Sequence, residues 1–389
     1  MNKPKQILLL LEWYDYRIHK GVAKMAKELG WILYCPSKTL SNNVNLLDEW
    51  DGDGCIALLA NQSTIDLFSK YDKPAVDLGL NNHDLPINRV VTDNERIAQL
   101  AAEHFRDQGH REIFTISPKS SLMHQERYDY LKKYVEADGG KITIIDKAGT
   151  TSHQTFGFEF IDHQIIKEIK QIATKQNKTI DKISIAFFAY DDDMASQLIR
   201  ILVQHNIKIP ENVAILGINN DELINAGLHV ELTSIDCDLE GLGEKAATEL
   251  NRIISGEVES NGSIIHHRPK NLIARRSTDS YAVDNTLVSN ALHWINDNFQ
   301  SGILASDVAE AFDMTQQGLQ KAFNEHYIRT PGQEIRYQRA KAVINLLETT
   351  PASLEEIARN CGYYSVDTLI SAFKSIFNTT PGKYRRSSK

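Results

Sequence analysis

A short polar run near residue 320 has residue types and a spacing that suit contact with the edges of nucleic-acid bases. Leu319 and Phe323 are four positions apart, so on a helix they share one face and point inward. The polar residues around them then face outward: Gln316, Gln317, Gln320 and Lys321. Gln can bond adenine through two hydrogen bonds, and Lys can bond guanine. We therefore predict a helix over residues 315–324 whose outer face reads base edges.

A second run, fifty residues later, has the same apolar spacing, but its outward side chains are less suited to reading bases. Leu369 and Phe373 are again four apart and are expected to point inward. The outward residues are then Ser365, Asp367, Thr368 and Ser371, and the basic residues placed to touch phosphates are Lys374, Lys383, Arg385 and Arg386. Phosphate contacts supply affinity rather than choice of sequence.

Both runs belong to an internal repeat. Residues 307–323 parallel residues 356–373, with one extra residue in the second turn. Each copy is followed by Thr-Pro-Gly, whose Pro lies eight residues beyond the last Phe of the copy. Thr before Pro favours a helix start, with Thr as N-cap and Pro at the first helical position. Each copy therefore predicts a short helix, a turn and a second helix, the helix-turn-helix plan. The alternative is an all-helical interaction module with a solvated polar face, but two copies at fixed spacing favour the DNA-facing interpretation.

Charge is distributed unevenly along the chain. The 389 residues carry a net charge of −8, yet residues 315–389 hold 11 Lys/Arg against 6 Asp/Glu. A basic end on an acidic chain is typical of a nucleic-acid-facing domain. The four cysteines are widely separated, which disfavours a disulfide scaffold or zinc site. The start lacks the apolar core of a signal peptide and no apolar run could span a membrane, so we expect a cytoplasmic protein.

The first part of the chain, residues 6–276, alternates apolar strands with amphipathic helices. Strands are predicted at 7–11, 31–34, 55–59, 75–78, 89–92, 113–116, 142–145, 183–188 and 213–216. Repeated βα units indicate parallel sheets covered by helices, and the run is too long for a single sheet, so two lobes are expected. The pattern breaks in the polar segment 274–286. We expect an α/β domain over residues 1–278, a linker over 279–286 and an all-α domain over 287–389.

The C-terminal domain resembles the DNA-binding domain of AraC-type transcription regulators. The resemblance covers roughly 100 residues and includes Asp307-Val308-Ala309, Leu319, Phe323, Ile357-Ala358, Cys361-Gly362-Tyr363, Phe373-Lys374 and Thr380-Pro381. It implies two recognition helices that dock in successive major-groove segments, held apart by a linking helix of about four turns. Two departures stand out: Ile328 and Asn378 replace the family's common Gly. Asn tolerates positive φ and Ile does not, so we expect the first turn to be reshaped.

The α/β domain resembles the type I periplasmic-binding-protein-like sugar sensor of LacI-type regulators. The segments that match are residues 90–116, 187–222 and 232–250. The resemblance implies two lobes around a cleft that holds a sugar at the carboxyl ends of the strands. Carried over residue by residue, Arg127, Asp192 and Asn219 are the expected sugar ligands; Asn219 stands where the family commonly has Asp. Trp13, Tyr14 and Tyr16 are expected to cover the sugar, the alternative being a plain packed loop.

Two local alternatives concern acidic and histidine residues. One residue of Asp191-Asp192-Asp193 is expected to cap the helix that follows, and Asp191 is a second candidate sugar ligand. His266 and His267 are adjacent in a predicted strand, so their rings point to opposite faces and a metal site is disfavoured. No catalytic set, phosphate loop or dinucleotide fingerprint appears, so neither an enzyme nor a cofactor is expected.

Together these patterns predict a sugar-responsive DNA-binding transcription regulator, most simply an activator that works as a homodimer with RNA polymerase. A pentose such as xylose is the expected effector, bound as a monosaccharide. The alternative is a soluble sugar-binding transport or scavenging protein without DNA activity. That alternative requires a signal peptide and no helix-turn-helix pair, which is the opposite of what the sequence shows.

Overall fold

The computed structural model describes residues 3–36, 47, 50–60, 62–81, 84–117, 122–146, 158–283 and 285–387. Asp284, in the predicted linker, lies outside the described residues. The described chain forms two α/β lobes followed by a helical domain.

Lobe 1 is built on a parallel sheet whose strands run in the order β11-β5-β4-β3-β1-β2. Its central strands are fully buried because helices cover both faces, which explains their continuous apolar runs. The strands are β1 (Gln6–Leu11), β2 (Ile32–Tyr34), β3 (Gly54–Leu58), β4 (Ala75–Asp77), β5 (Asn88–Thr92) and β11 (Ile264–His267). The helices are α1 (Tyr16–Glu28), α2 (Gln62–Phe68) and α8 (Leu239–Ile254).

Lobe 2 repeats the plan with the strand order β12-β10-β9-β8-β6-β7, in which only the β10–β12 pairing is antiparallel among the described strands. The strands are β6 (Glu112–Ser117), β7 (Lys141–Asp146), β8 (Ile185–Phe188), β9 (Val213–Ile218), β10 (Thr233–Ile235) and β12 (Leu272–Ile273). The helices are α3 (Asn94–Asp107), α4 (Leu122–Ala137), α5 (Phe158–Lys175), α6 (Asp192–Gln204) and α7 (Glu222–Ala226).

The chain crosses between the lobes three times. It passes from β5 into α3, from β10 into α8, and directly from β11 to β12. Helix α8 returns to lobe 1 and packs closely on α1, where a Cβ at Gly21 would lie 1.9 Å from the Glu240 carbonyl oxygen. Only glycine fits that approach. The crossings form a hinge, and the carboxyl ends of both sheets face the cleft between the lobes.

The helical domain, residues 286–387, has two small cores. The helices are α9 (Thr286–Asn298), α10 (Ala305–Ala311), α11 (Gln316–His326), α12 (Pro331–Thr349), α13 (Leu354–Asn360), α14 (Val366–Phe377) and α15 (Pro381–Ser387). Helix α12 contributes Ile335 to the first core and Val343 and Leu347 to the second. It therefore fixes the two helix-turn-helix halves relative to each other.

The predicted elements agree with the structure to within about two residues for most strands. Helix α12 has 19 residues, which is more than five turns rather than four. Thr330 is its N-cap and Pro331 its first residue, as the Thr-Pro signal predicts. The segment after residue 278 is tied down: the Ala282 N–H donates to the Gln108 carbonyl, and Tyr281 packs on the first core of the helical domain.

Candidate functional site

The three consecutive aspartates lie where the chain passes from strand β8 into helix α6: Asp191 precedes the helix, and Asp192 and Asp193 are its first two residues. Asp191 is the N-cap of α6, since its carboxylate accepts a hydrogen bond from the Met194 N–H at 2.7 Å. Asp192 is 2% exposed and accepts hydrogen bonds from the Ser234 hydroxyl at 2.6 Å and the Asp221 N–H at 2.7 Å. The cap is therefore Asp191, while Asp192, the first residue of α6, is bonded to strand β10 through Ser234 and to the segment after β9 through Asp221.

The loop after strand β9 holds a strained pair of asparagines. Asn219 has φ of 98° and Asn220 has φ of 49°, a region that non-glycine residues seldom occupy. Three hydrogen bonds hold this backbone conformation. The Asn219 N–H donates to the Ile235 carbonyl, and the Asn220 N–H donates to the Ser234 hydroxyl. The Arg275 guanidinium donates to the Asn220 side-chain oxygen at 2.7 Å. Strain that the surroundings hold in place is typical of ligand-binding loops.

Arg17, on the first turn of α1, reaches across the cleft to that loop. Its guanidinium donates to the Asn219 carbonyl oxygen at 2.7 Å and to the Asp15 carboxylate at 2.6 Å, and it lies 3.3 Å from the Asp221 carboxylate. Sequence reasoning missed this residue. The sequence did contain a signal for it. A cation in the first turn of a helix is unfavourable beside the positive end of the helix dipole, so an acidic partner for Arg17 could have been expected.

Arg127, on α4, lies at the hinge beneath the cleft. It is 2% exposed, and its guanidinium donates to the Asn94 side chain at 2.8 Å, the Tyr190 carbonyl at 2.8 Å and the Thr92 hydroxyl at 3.3 Å. Burial lowers the pKa of Arg127 from its usual value. Arg127 thus connects the end of lobe 1, the start of α3 and the end of β8.

The three aromatic residues follow β1 and remain exposed. The exposed fractions of the residues are 44% for Trp13, 59% for Tyr14 and 38% for Tyr16. The Tyr14 hydroxyl lies 2.9 Å from His19 Nδ1, and the Tyr16 ring lies 5.6 Å from the Arg17 guanidinium carbon. Their exposure disfavours the packed-loop alternative, and the sugar contact stays a prediction.

Burial raises the pKa of a carboxyl group near a strand end in each lobe. Burial raises the pKa of Asp192 to about 7, against the opposing effect of hydrogen bonds from Ser234 and the Asp221 N–H. Burial likewise raises the pKa of Asp77, at the end of β4, to about 7. Both carboxyls are thus poised to change charge near neutral pH.

In the helical domain, α11 presents the first predicted reading face. Thr315 caps the helix, and Leu319 and Phe323 are fully buried, as predicted. The predicted base readers are all exposed: Gln316, Gln317, Gln320 and Lys321. The Lys321 ammonium lies 3.9 Å from Glu325, one helical turn away.

Helix α14 presents the second face, and two of its predicted contacts are already engaged. Leu369 and Phe373 are fully buried, and the outward residues are exposed: Asp367, Thr368, Ser371 and Lys374. Ser365 is the N-cap, and its hydroxyl accepts the Thr368 N–H at 3.2 Å. Arg385, on α15, stays a predicted phosphate contact, and its guanidinium donates to the Ala352 carbonyl at 2.7 Å.

The two recognition helices line one groove of about 910 Å³. Gln316 and Gln320 of α11 and Thr368 of α14 face it, as does Arg336 from α12. Tyr364, in the turn before α14, is 100% exposed at its edge. Sequence reasoning missed Arg336 and Tyr364; an aromatic residue in a helix-turn-helix turn was the available signal for Tyr364.

The two turns that follow the recognition helices differ as expected. Asn378 ends α14 with φ of 54°, the left-handed conformation that the family's Gly would adopt. Ile328 does not have positive φ, and α11 ends instead at Tyr327 with φ of −141°. The first turn is therefore reshaped because a β-branched residue cannot adopt the left-handed conformation.

The remaining chemistry-bearing residues do not assemble into another site within the described ranges. His267 Nε2 lies 3.0 Å from the Asp238 carboxylate while His266 is exposed on the other face, and no group of three potential metal ligands is found there. All four cysteines are free thiols. Over the same ranges, no helix has the length and apolar character to cross a membrane.

Comparisons with known proteins agree with this architecture. Residues 102–278 match a periplasmic binding protein-like domain, and residues 308–387 match a helix-turn-helix domain. The chain is 26% identical to the xylose operon regulatory protein of Escherichia coli K12, covering 96% of this chain and 94% of that protein. The corresponding protein of Haemophilus influenzae is 23% identical, with 96% and 95% covered.

Solved structures share the fold. A xylose-binding transcription activator superposes with a TM-score of 0.59 at 24% identity, covering 100% of this chain and 99% of that one. A LacI-type regulator from Alkaliphilus metalliredigens, solved with D-xylulofuranose, has a TM-score of 0.55 at 24% identity and covers 70% of this chain and 99% of its own.

Proposed function

We propose that this chain, a sugar-responsive transcription regulator that joins a periplasmic-binding-protein-like sensor to an AraC-type helix-turn-helix domain, activates a sugar-utilisation operon when a pentose such as xylose binds. It acts by binding rather than by catalysis. The observation that carries the proposal is the pairing within one chain of a hinged two-lobed cleft with two recognition helices that line one groove.

The sugar is proposed to lie between Asp192, Asn219 and Arg127. Each Asp192 oxygen accepts one hydrogen bond from the protein, and a carboxylate oxygen has a second lone pair for a sugar hydroxyl. Carboxylate and guanidinium groups form charge-assisted hydrogen bonds, which suit a ligand rich in hydroxyls. Trp13, Tyr14 and Tyr16 are proposed to cover its apolar face from lobe 1. Asp191 holds the loop through its cap and is the less direct contact.

DNA is the proposed partner of the helical domain. The outward residues of α11 can read bases, whereas those of α14 are short or already bonded, so the first helix is proposed to carry more of the sequence choice. Lys374 is proposed to contact phosphate. A homodimer bound to two half-sites, in contact with RNA polymerase in the cytoplasm, is the proposed working form.

Two measurements test the proposal. Gel shift with the promoter region beside the protein's own gene should show specific binding, and a thermal-shift panel of pentoses and hexoses should single out a pentose. Absence of specific DNA binding by folded protein would favour the rival sugar-transport function. Stabilisation by a hexose alone would reject the pentose.

Calorimetry with Asp192→Ala tests the site itself. Unpaired buried hydroxyls cost about 1–3 kcal/mol each, so sugar affinity should fall by roughly two to four powers of ten. DNA binding should survive, because the helical domain has its own cores. Near-normal sugar affinity in the folded variant would place the ligand elsewhere. Asp193→Ala, on the exposed side of the same helix turn, is the matched control.

A further inference from the structure

The end of α3 in lobe 2 is bonded directly to the helical domain. Asp107, the last residue of α3, has a side chain only 5% exposed. Its carboxylate accepts hydrogen bonds from Arg329 at 2.8 Å, Lys341 at 2.9 Å and the Tyr337 hydroxyl at 3.1 Å. These partners are separated from Asp107 by more than 200 residues of chain, so the contacts join two domains.

A second layer of contacts holds those partners in place. The Arg329 guanidinium also donates to Glu334 at 3.0 Å and stacks on the Tyr337 ring at 3.6 Å. The Tyr327 hydroxyl donates to the Asp107 carbonyl oxygen. Each carboxylate of the cluster has a cationic partner, and Arg106, on α3 itself, lies 3.8 Å from the Asp107 carboxylate. A buried cluster requires such pairing, since each unpaired charge would be costly. Lys341 and Arg329 outweigh the effect of burial and hold the pKa of Asp107 below its usual value.

The same helix begins at the hinge. At the first residue of α3, the Asn94 side chain accepts a hydrogen bond from Arg127 and donates one to Glu126 at 2.6 Å. Helix α3 has 14 residues and so spans roughly 21 Å. The first residue of α3 is therefore bonded to Arg127, a proposed sugar ligand, and its last residue is bonded to the helical domain.

The chain entering the helical domain is fastened at the same point. The Gln108 carbonyl accepts the Ala282 N–H at 2.7 Å, and the Gln108 side chain donates to the Thr278 carbonyl. Gly109 has φ of 82°, and a Cβ there would lie 3.1 Å from the Ala282 carbonyl oxygen. The helical domain is thus held to α3 by its connecting segment and by the Asp107 cluster together.

We propose that Asp107 is the positioning residue that docks the helical domain on α3, so that the hinge sets the orientation of the recognition helices. A buried ion cluster suits this role because it specifies one geometry rather than adding much net stability. Tyr327 and Arg329 directly follow α11, so the cluster fixes the first recognition helix. Docking of the helical domain follows from the contacts of Asp107 alone. That sugar binding changes the docked orientation rests on the proposed function.

Distance measurement between two spin labels tests the docking. Labels are placed at Glu136→Cys in α4 and Glu355→Cys in α13, both exposed positions, in full-length protein carrying Cys35→Ser. The unsubstituted protein should give one narrow distance distribution. Asp107→Asn should broaden it, because loss of a buried ion-pair partner lowers the docked-to-undocked ratio by roughly two to three powers of ten.

The matched control is Asp138→Asn. Asp138 pairs with Arg106 at 3.0 Å in the same lobe and is 41% exposed. Arg106 also lies 3.8 Å from Asp107, but the substitution leaves the bonds of Asp107 to Arg329, Lys341 and Tyr337 in place. It should leave the distribution narrow. If Asp107→Asn does not fold, Lys341→Gln and Tyr337→Phe remove single contacts from the other side and should broaden the distribution. A narrow distribution at the original distance in the folded variants would overturn the proposal.

The same spin-label distances are measured again with D-xylose added. Where calorimetry shows that it binds, it should shift the label distance in the unsubstituted protein and leave it unshifted in Asp107→Asn at equal sugar affinity. An equal shift in both would overturn the positioning role, as would a loss of sugar affinity in Asp107→Asn. If D-xylose does not bind the unsubstituted protein, the effector assignment fails, while the sugar-free distances still decide the docking.

Discussion

The Arg17 guanidinium on lobe 1 donates a hydrogen bond of 2.7 Å to the Asn219 carbonyl oxygen on lobe 2. Asn219 is the strained residue of the β9 loop and a proposed sugar ligand. Asp15, which also caps α1, and Asp221 hold the same guanidinium from the two sides of the cleft. Arg17 is therefore a latch between the lobes, since it joins helix α1 to the β9 loop.

Replacing this latch should weaken sugar binding. Arg17→Gln removes the charge and most of the interlobe contacts, and hydrogen bonds to charged groups contribute about 1.5–3 kcal/mol, so affinity should fall roughly ten- to a hundredfold. Titration calorimetry measures the loss. Lys20→Gln, on the same helix but paired within lobe 1 to Glu240, should change little. Equal affinities for the two variants would show that the latch does not contribute to the bound state.

The raised pKa of Asp192 predicts a pH-dependent stability. The folded-state pKa of about 7 exceeds the usual 3.8, so folding takes up a proton between these values. Its contribution to the free energy of unfolding should therefore fall as pH rises from about 4 to about 7, by up to about 1.4 kcal/mol per pH unit.

Asp192→Asn isolates that contribution. Asn can accept from the Asp221 N–H and donate to the Ser234 hydroxyl without titrating, so urea unfolding should show a smaller decline across this pH range. Asp77→Asn tests the corresponding buried carboxyl of lobe 1 and should remove a separate part of the decline. A slope identical to that of the unsubstituted protein in both variants would contradict the assignment.

Local patterns predicted much of the fold because the forces involved act over a few residues. The four-residue spacing of Leu319 and Phe323 fixes which face of α11 is buried, and Thr330-Pro331 marks the start of α12. Asn378 adopts the left-handed conformation that its side chain tolerates. Each conclusion needed only the neighbouring sequence.

The parts of the site that the sequence did not predict depend on contacts between distant segments of the chain. Arg17 and Asn219 are 202 residues apart, and Asp107 and Lys341 are 234 apart. The hydrophobic periodicity of the sequence does not predict which charged residues meet after the chain has passed between the lobes three times. Arg385 is a further case: its position predicted a phosphate contact, but the sequence did not indicate that its guanidinium also donates to the Ala352 carbonyl.

The connecting segment should stabilise the helical domain. Tyr281 packs on the first core, with its ring 5.0 Å from His293 and 6.4 Å from Tyr327. A fragment of residues 279–387 should therefore resist urea better than residues 285–387, by about 1–2 kcal/mol for the partly buried ring. Tyr281→Ala in the longer fragment should reproduce the difference. Matching unfolding midpoints for the two fragments would mean that Tyr281 packs only when the lobes are present.

Lys321 should contribute to sequence choice rather than to general affinity. It is exposed on α11, one turn from Gln317. Within the described part of the chain, its partner is Glu325, in an exposed pair at 3.9 Å. Such a pair contributes little in water, so the ammonium is available to a guanine edge. Lys321→Ala should cost about 1–3 kcal/mol at one base position and little on DNA altered there.

Lys374→Ala is the comparison for Lys321, since phosphate contact by Lys374 should weaken binding to all sequences alike. It should also reduce the slope of log affinity against log salt by about one, because one fewer counterion is released. Binding titrations on a panel of single-base operator variants at several salt concentrations separate the two behaviours. If Lys321→Ala lowers affinity uniformly across the panel and flattens the salt slope as Lys374→Ala does, Lys321 contacts phosphate, and base choice by α11 falls to its glutamines.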